Sequence, residues 1–223
     1  MTAPSSSPSS SSASSSPASS SSASSSSADP AERVDGRTAR AERTRAAIVD
    51  AHLALIGEGD LRPTGERIAE RAGVSLRALW TNFKDMETLF EASGARVLAT
   101  YDEAFTPVPP DLPRAERIAL YCRQRARLLQ LIAAPARAAA MREPFSPQLR
   151  RNRQKHVERL REEVDVLFAA EFAGPDGATL RNAVMAASMW PAWSMLRDGL
   201  SLSATDAEAV MTRTITALLA APD

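Results

Sequence analysis

The stretch Arg67 to Phe83, which reads RIAERAGVSLRALWTNF, decides the fold of this chain. Ile68 and Ala69 place apolar side chains on one face of a short helix. Gly73 ends that helix, because glycine readily adopts the left-handed backbone of a tight turn. The stretch therefore begins with a short helix followed by a tight turn, which is the first half of a helical hairpin.

A second helix follows the turn. Ser75 is placed to cap it, since a serine hydroxyl at this position accepts a hydrogen bond from an amide of the first helical turn. Leu79 and Phe83, four residues apart, give the helix one buried stripe and leave its other face outward. Two helices arranged in this way are typical of a DNA-reading helix-turn-helix, and an ordinary helical hairpin is the alternative.

The segments on either side of the hairpin are predicted to be helical as well. Apolar residues at helical spacing predict a helix over Thr44 to Glu58 that stops at Gly59. After the hairpin, Lys84 and Asp85 open a long helix that ends before Pro107. The hairpin is therefore preceded by one helix and followed by a longer one.

This order resembles the tetracycline-repressor (TetR) family of bacterial transcription regulators. The residues that carry the resemblance are Gly59 to Phe90, GDLRPTGERIAERAGVSLRALWTNFKDMETLF, and beyond them the likeness is one of helical layout only. The resemblance implies an all-α fold of about nine helices. Residues 37–84 would form a three-helix DNA-binding domain, and residues 85–223 a helical domain that binds an effector and dimerises.

Composition predicts a disordered N-terminal tail and a cytoplasmic location. Met1 to Ala28 holds 18 serines and no charged residue, so residues 1–36 are predicted to be a disordered serine-rich tail. The sequence lacks the pattern of a secretory signal and any apolar run of the roughly 20 residues that span a bilayer. Cys122 is the single cysteine, which excludes an internal disulfide. We therefore expect a cytoplasmic protein without membrane contact.

The outward face of the second hairpin helix supplies most of the predicted DNA contacts. Arg77 is the predicted base reader, because a guanidinium can form two hydrogen bonds to guanine. Thr64 and Ser75 are the predicted helix caps, and the free amides at a helix start can bind a phosphate. The other predicted contacts are Leu76, Ala78, Trp80, Thr81, Asn82 and Lys84.

The sequence departs from the TetR pattern at three of the positions that meet phosphate in that family. Trp80 stands where the family usually has a tyrosine, and Asn82 where it often has a histidine, but both replacements keep an N–H donor. Met86 stands where the family commonly has a lysine. Lys84 is expected to take over that contact.

A basic segment leads into the first predicted helix. Arg37, Arg40, Arg43 and Arg45 form an arm that can lie along phosphates or enter a minor groove, and a solvated helix start is the alternative. His52 stands where the TetR-like pattern usually has a small buried residue. We interpret it as a packed histidine.

Further helices are predicted after Pro107, and no segment shows the alternation of a strand. The eighth helix is expected to be kinked by Pro191. The ninth, Asp206 to Leu219, is expected to start with a capping box formed by Thr205 and Glu208. The second half of the chain is thus predicted to be a helical body.

The predicted ligand site lies on the fourth to seventh helices, which enclose the effector cavity in TetR-like proteins. Its candidates combine apolar walls with a few hydrogen-bonding groups, although any helical core contains such residues. They are Tyr101, Phe105, Tyr121, Cys122, Met141, Phe145, His156 and Phe168. Pro113 to Glu163 holds 13 Lys and Arg against 5 Asp and Glu, which favours either an anionic ligand or a solvated basic face.

The last two predicted helices are rich in large apolar residues, which indicates either core packing or a helix pair that dimerises. The TetR resemblance implies a four-helix interface between two copies of the chain. The predicted interface residues are Met189, Trp190, Trp193, Leu196, Met211, Ile215 and Leu218. A two-fold dimer of this kind would bind an inverted-repeat operator in double-stranded DNA.

Catalytic chemistry is not indicated. Two histidines, one cysteine and nine scattered glycines offer no nucleophile with its base, no metal cluster and no phosphate-binding loop, and no cofactor is predicted. Glu162, Glu163 and Asp165 are interpreted as a solvated face. We expect a repressor that a small-molecule effector of unknown identity releases from its operator. A helical structural or interaction protein without specific DNA binding is the alternative.

Overall fold

The computed structural model describes the backbone of residues 30–220 and the side chains of residues 38–220. This part of the chain forms ten α-helices and no strand, which confirms the all-α prediction. The helices are α1 (Pro30–Gly57), α2 (Gly65–Arg71), α3 (Leu76–Asn82), α4 (Met86–Ala104), α5 (Arg114–Leu131), α6 (Ala133–Arg142), α7 (Pro147–Leu167), α8 (Gly177–Ser188), α9 (Trp190–Ser194) and α10 (Ala204–Leu218). The serine-rich segment Met1 to Ala28 lies outside the described residues.

The chain divides into two compact units, Met1–Thr38 and Ala39–Asp223, and the contacts described below lie within the second. The first helix begins at Pro30 instead of Thr44, so the predicted start of this helix is wrong. Alanine, arginine and glutamate are strong helix formers, and they fill the segment before Thr44. Arg40 and Arg43 are exposed residues of this helix, which agrees with the alternative of a solvated helix start.

The first four helices share one set of buried apolar side chains, which we call the head cluster. Each helix contributes at least one fully buried residue, and burial of one such side chain stabilises the fold by about 1.5–3 kcal/mol. The members are Ile48, Val49, Leu55, Ile68, Ala69, Leu79, Phe83 and Leu89. The buried stripe that the sequence predicted for α3, Leu79 and Phe83, is part of this cluster.

Arg45 holds α3 against α1. Its Nη1 donates a hydrogen bond of 2.6 Å to the backbone carbonyl of Asn82, and its guanidinium carbon lies 4.1 Å from the ring centroid of Phe83. A cation near the last carbonyls of a helix is favourable. Arg45, predicted as part of a DNA-binding arm, therefore has a structural role at the end of α3.

The remaining helices enclose a second set of buried residues, the body cluster. Most of its members come from α5, α7, α8 and α10, and they include the edge-to-face pair Tyr121 and Phe168 with ring centroids 5.5 Å apart. The members are Ile118, Tyr121, Cys122, Ala126, Leu129, Leu160, Val164, Leu167, Phe168, Phe172, Val184, Met185, Trp193, Ala207, Met211, Ile215 and Leu219.

The eighth predicted helix is broken instead of kinked. Met189 has extended backbone, with φ −90° and ψ 166°, and separates α8 from α9. Proline lacks an amide hydrogen, so Pro191 is accommodated in the first turn of a new helix. The predicted cap of the last helix, Thr205, was wrong. The hydroxyl of Ser203 accepts a hydrogen bond of 3.1 Å from the amide of Asp206 instead.

Candidate nucleic-acid interface and helical cavity

The turn between α2 and α3 has the predicted geometry. Gly73 adopts φ +68°, a left-handed conformation that glycine reaches without steric cost. The hydroxyl oxygen of Ser75 accepts a hydrogen bond of 3.1 Å from the amide nitrogen of Ala78. The hydroxyl oxygen of Thr64 accepts one of 3.4 Å from the amide nitrogen of Arg67. Both caps therefore bond to the first turn of their helix, as their residue types suggested.

The side of α3 that faces away from the head cluster is exposed. Leu76 and Trp80 each keep 36% of their surface accessible, and Arg77, Thr81 and Lys84 are exposed as well. Ala78 and Asn82 are half-buried. The structure therefore brings the predicted DNA-contacting residues together on one surface, which we call the α3 face.

The basic residues of this region differ in their partners. Arg67 lies 2.6 Å from a carboxylate oxygen of Asp60, and both outer nitrogens of Arg71 bond to the carboxylate of Glu58. Neither the Arg77 guanidinium nor the Lys84 ammonium forms an ion pair with any side chain of residues 38–220. These two cations remain available to an anionic partner.

Two other residues of the α3 face bond to their own helix. The hydroxyl of Thr81 donates to the carbonyl of Arg77, and the amide of Asn82 donates to the carbonyl of Ala78, both at 2.8 Å. The Trp80 indole lies close to the backbone of Gly65, since a Cβ added at Gly65 would be only 2.6 Å from its Cζ2 atom. The glycine at the start of α2 therefore leaves the space that the Trp80 ring occupies.

A cavity of about 240 Å³ lies next to the head cluster. Its wall includes His52 and Ile56 from α1 and Leu61 and Pro63 from the connection to α2. The opposite wall comes from α4, α5, α6 and α7 and from the break between α8 and α9. A molecule in this cavity would therefore touch the connection that leads into α2.

Two of the eight predicted ligand-binding residues, Tyr101 and His156, line this cavity. The other six do not line it. Tyr121, Cys122 and Phe168 are buried in the body cluster, Met141 and Phe145 are exposed over 50% and 88% of their surface, and Phe105 stacks on Tyr101. Helical spacing did not distinguish a cavity wall from a packed face or from an exposed one.

Several cavity residues were not predicted. They include His52, Phe90, Arg125, Arg142 and Asn152. Met189 and Trp190, predicted at the dimer interface, line the cavity as well, because the break at Met189 turns them inward. The one sequence signal for this break was Pro191, because a residue without an amide hydrogen favours the start of a new helix.

The deep end of the cavity is braced by a buried polar network. Arg125 donates to the carbonyl of Ser188 at 2.9 Å and to the hydroxyl of Tyr101. Tyr121 shares a hydrogen bond of 2.7 Å with the Ser188 hydroxyl, and burial raises the pKa of Tyr121 well above its usual value. These bonds fix the Tyr101 ring against the cavity.

Glu163 is buried, so its assignment to a solvated face was wrong. One carboxylate oxygen accepts a hydrogen bond of 3.3 Å from Gln124, and the other has no hydrogen-bond partner among the described residues. Burial raises the pKa of Glu163, and the charge of Arg125 opposes this shift. Helix α7 turns Glu163 toward α5 because Leu160, Val164 and Leu167 lie on that same face.

The predicted dimer interface is corrected by burial. Trp193, Met211 and Ile215 are at most 2% exposed within a single chain, so they are core residues. Leu196 and Leu218 are half-buried against the body cluster. Burial thus removes Trp193, Met211 and Ile215 from the predicted interface, whereas Leu196 and Leu218 keep part of their surface accessible.

The outer faces of α8 and α10 are mostly uncharged, with Arg213 as an exposed cation on α10. On α8 the exposed positions include Asn182 and Ala186, and on α10 they include Val210, Thr214 and Ala217. Over the residues described here, no helix is both long and apolar enough to cross a lipid bilayer. The weakly charged α8–α10 face is a surface that a second protein chain could cover.

Comparison with solved structures identifies the fold. A transcriptional regulator from Rhodococcus sp. Rha1 superimposes with a TM-score of 0.57 at 21% identity, covering 80% of this chain and 95% of that one. A TetR transcriptional regulator from Rhodococcus sp. RHA1 gives 0.51 at 19% identity, covering 80% and 96%. Neither protein-family models nor curated proteins give a match. The likeness is therefore one of fold.

His52 provides a test of the cavity environment. Its Nδ1 shares a hydrogen bond of 2.8 Å with the Ser93 hydroxyl, and burial, followed by the charge of Arg142, lowers its pKa from 6.5 to about 4. The folded protein therefore keeps His52 neutral, while the unfolded chain protonates it below pH 6.5. The stabilisation is complete above pH 6.5 and is lost as the pH falls toward 4.

We expect His52→Gln to flatten this pH dependence. Between pH 7 and pH 5 the free energy of unfolding of the wild type should fall by about 2 kcal/mol more than that of the variant. This corresponds to a difference of roughly 4–8 °C in melting temperature. Thermal unfolding of both proteins followed by circular dichroism at the two pH values measures this difference. Parallel losses in the two proteins would contradict a neutral, buried His52.

Proposed function

We propose that this chain, which has the fold of TetR-family transcriptional regulators, is a ligand-responsive DNA-binding regulator and not an enzyme. The observation that carries the proposal is the α3 face, where Arg77 and Lys84 have no ion-pair partner while the arginines of α2 are already paired. An exposed helix with available cations next to two capped helix starts suits a major groove and its phosphates.

Within this proposal, residues 37–84 form the DNA-binding domain. Arg77 reads a guanine, and Leu76 or Ala78 contacts a thymine methyl group. Lys84 and the indole N–H of Trp80 bind phosphates on either side of the groove. The contact of Trp80 is supported by its place on the exposed side of α3, where its ring lies against Gly65.

We propose further that residues 85–223 form the dimerisation and effector-binding domain. A two-fold axis beside α8 and α10 would pair these helices with their copies in a four-helix interface. The low charge of their outer faces supports this choice of surface. Such a dimer presents two copies of α3 to successive major grooves, so its operator is an inverted repeat.

The cavity is the proposed effector site. It is bounded on one side by α1 and by the α1–α2 connection, so a bound molecule contacts the helices that carry the α3 face. If the molecule fits only one orientation of these helices, it shifts the protein toward that orientation. The proposed regulator is a repressor whose operator affinity falls when the cavity is occupied.

Binding to random-sequence DNA followed by selection and sequencing tests the function. We expect an enriched inverted repeat and an affinity that falls steeply with salt concentration. A helical scaffold protein without DNA specificity would enrich no sequence. That result would refute the proposed function.

Arg77 and Lys84 should contribute differently to operator binding. Arg77→Ala should weaken specific binding by about 1–3 kcal/mol and relax the preference at one base pair of each half-site. Lys84→Ala should weaken binding to all sequences alike and reduce the salt slope by about one unit. Equal losses on specific and random DNA for both variants would mean that Arg77 contacts only phosphate.

The dimer surface can be tested with a matched pair of substitutions. Val210 on α10 and Val166 on α7 are both exposed, at 40% and 65%. Val210→Glu should produce monomers in analytical ultracentrifugation, because a charge buried in an apolar interface costs several kcal/mol. Val166→Glu should remain dimeric, and the opposite outcome would place the interface on α7.

A further inference from the structure

The charges around the cavity are unevenly paired. Arg125, Arg142 and Arg153 line it together with a single acidic residue, Glu143. Glu143 forms an ion pair with Arg153, and Arg125 is held by Ser188 and Tyr101. Among the cavity arginines, Arg142 is the only one whose guanidinium forms no hydrogen bond or ion pair with any group of residues 38–220.

Arg142 sits at the end of α6 in a half-buried position. Its guanidinium carbon lies 5.5 Å from the ring centroid of Phe90. Burial and then the charge of Arg62 lower the pKa of Arg142, against the opposing charge of Asp60. A partly desolvated cation without a hydrogen-bonded counter-ion is unfavourable, and an anion in the cavity would remove this penalty.

A second donor packs on the same Phe90 ring as Arg142. The ring centroids of His52 and Phe90 are 5.9 Å apart, and burial, followed by the charge of Arg142, lowers the pKa of His52. Nδ1 of His52 is bonded to Ser93, whereas Nε2 has no partner among the described residues. When Ser93 donates to Nδ1, the proton of the neutral imidazole resides on Nε2 and can be donated to an anion.

The other residues that line the cavity are mostly apolar. They include Leu53, Ile56, Val97, Leu129 and Trp190, with Asn152 and His156 among the polar ones. An engineered apolar cavity of about 150 Å³ holds a benzene molecule, so a cavity of about 240 Å³ accommodates one ring with a short polar substituent.

We propose that the cavity binds a compact apolar monocarboxylate of about one ring, with its carboxylate between Arg142 and His52. This inference rests on the proposed function, because it names the chemical class of the effector for the same cavity.

Isothermal titration calorimetry of the full chain, without DNA, tests the proposal with benzoate and with its uncharged isostere benzamide. Benzoate should bind at least tenfold more tightly than benzamide. Arg142→Gln should weaken benzoate binding about ten- to a hundredfold, the range expected for a lost hydrogen bond to a charged group, and leave benzamide within about threefold. Arg142→Lys should retain part of the preference.

Arg161→Gln is the matched control, since Arg161 is exposed on α7 and does not line the cavity. It should bind benzoate as the wild type does. Equal binding of benzoate and benzamide to the wild type, binding of neither, or a full benzoate preference in a folded Arg142→Gln variant would each overturn the proposal. None of these results depends on DNA, so a failure of operator selection would refute the proposed regulator separately.

Discussion

The structure depends on the two faces of α1. Ile48 and Leu55 are buried in the head cluster, whereas His52 and Ile56, on the adjacent face, line the cavity. Because a helix is a rigid element, a molecule that displaces one face must also move the other. Arg45 extends this connection, since it bonds to the last residue of α3. This packing is the basis on which we propose that a ligand in the cavity changes the position of the α3 face.

The charge on the α3 face follows from local pairing. The arginines of α2 pair with Asp60 and Glu58, two acidic residues of the α1–α2 connection. This pairing neutralises those cations locally. Arg77 and Lys84, whose neighbours offer no carboxylate within ion-pair distance, then provide the positive charge of the surface. The same arrangement explains how a chain of zero net charge can present a cationic face to a polyanion.

Local signals predicted the helix-turn-helix, and long-range packing limited the rest of the prediction. Gly73, Ser75 and Thr64 act within one helical turn of their own position, so residue type was enough to predict the turn and both caps. The cavity is assembled from helices far apart in the chain, and its wall depends on how each helix rotates against the others. Tyr121, which was predicted to bind ligand, is therefore a core residue, and Trp190, which was predicted at the dimer interface, lines the cavity.

If the cavity and the operator compete through the position of α1, the two ligands must be thermodynamically linked. Benzoate would be titrated into the free protein and into its complex with the selected operator, and operator affinity would be measured with and without benzoate. We expect each ligand to weaken the binding of the other by the same factor, on the order of 5- to 150-fold. Benzoate that binds the free protein and the operator complex with equal affinity would contradict it.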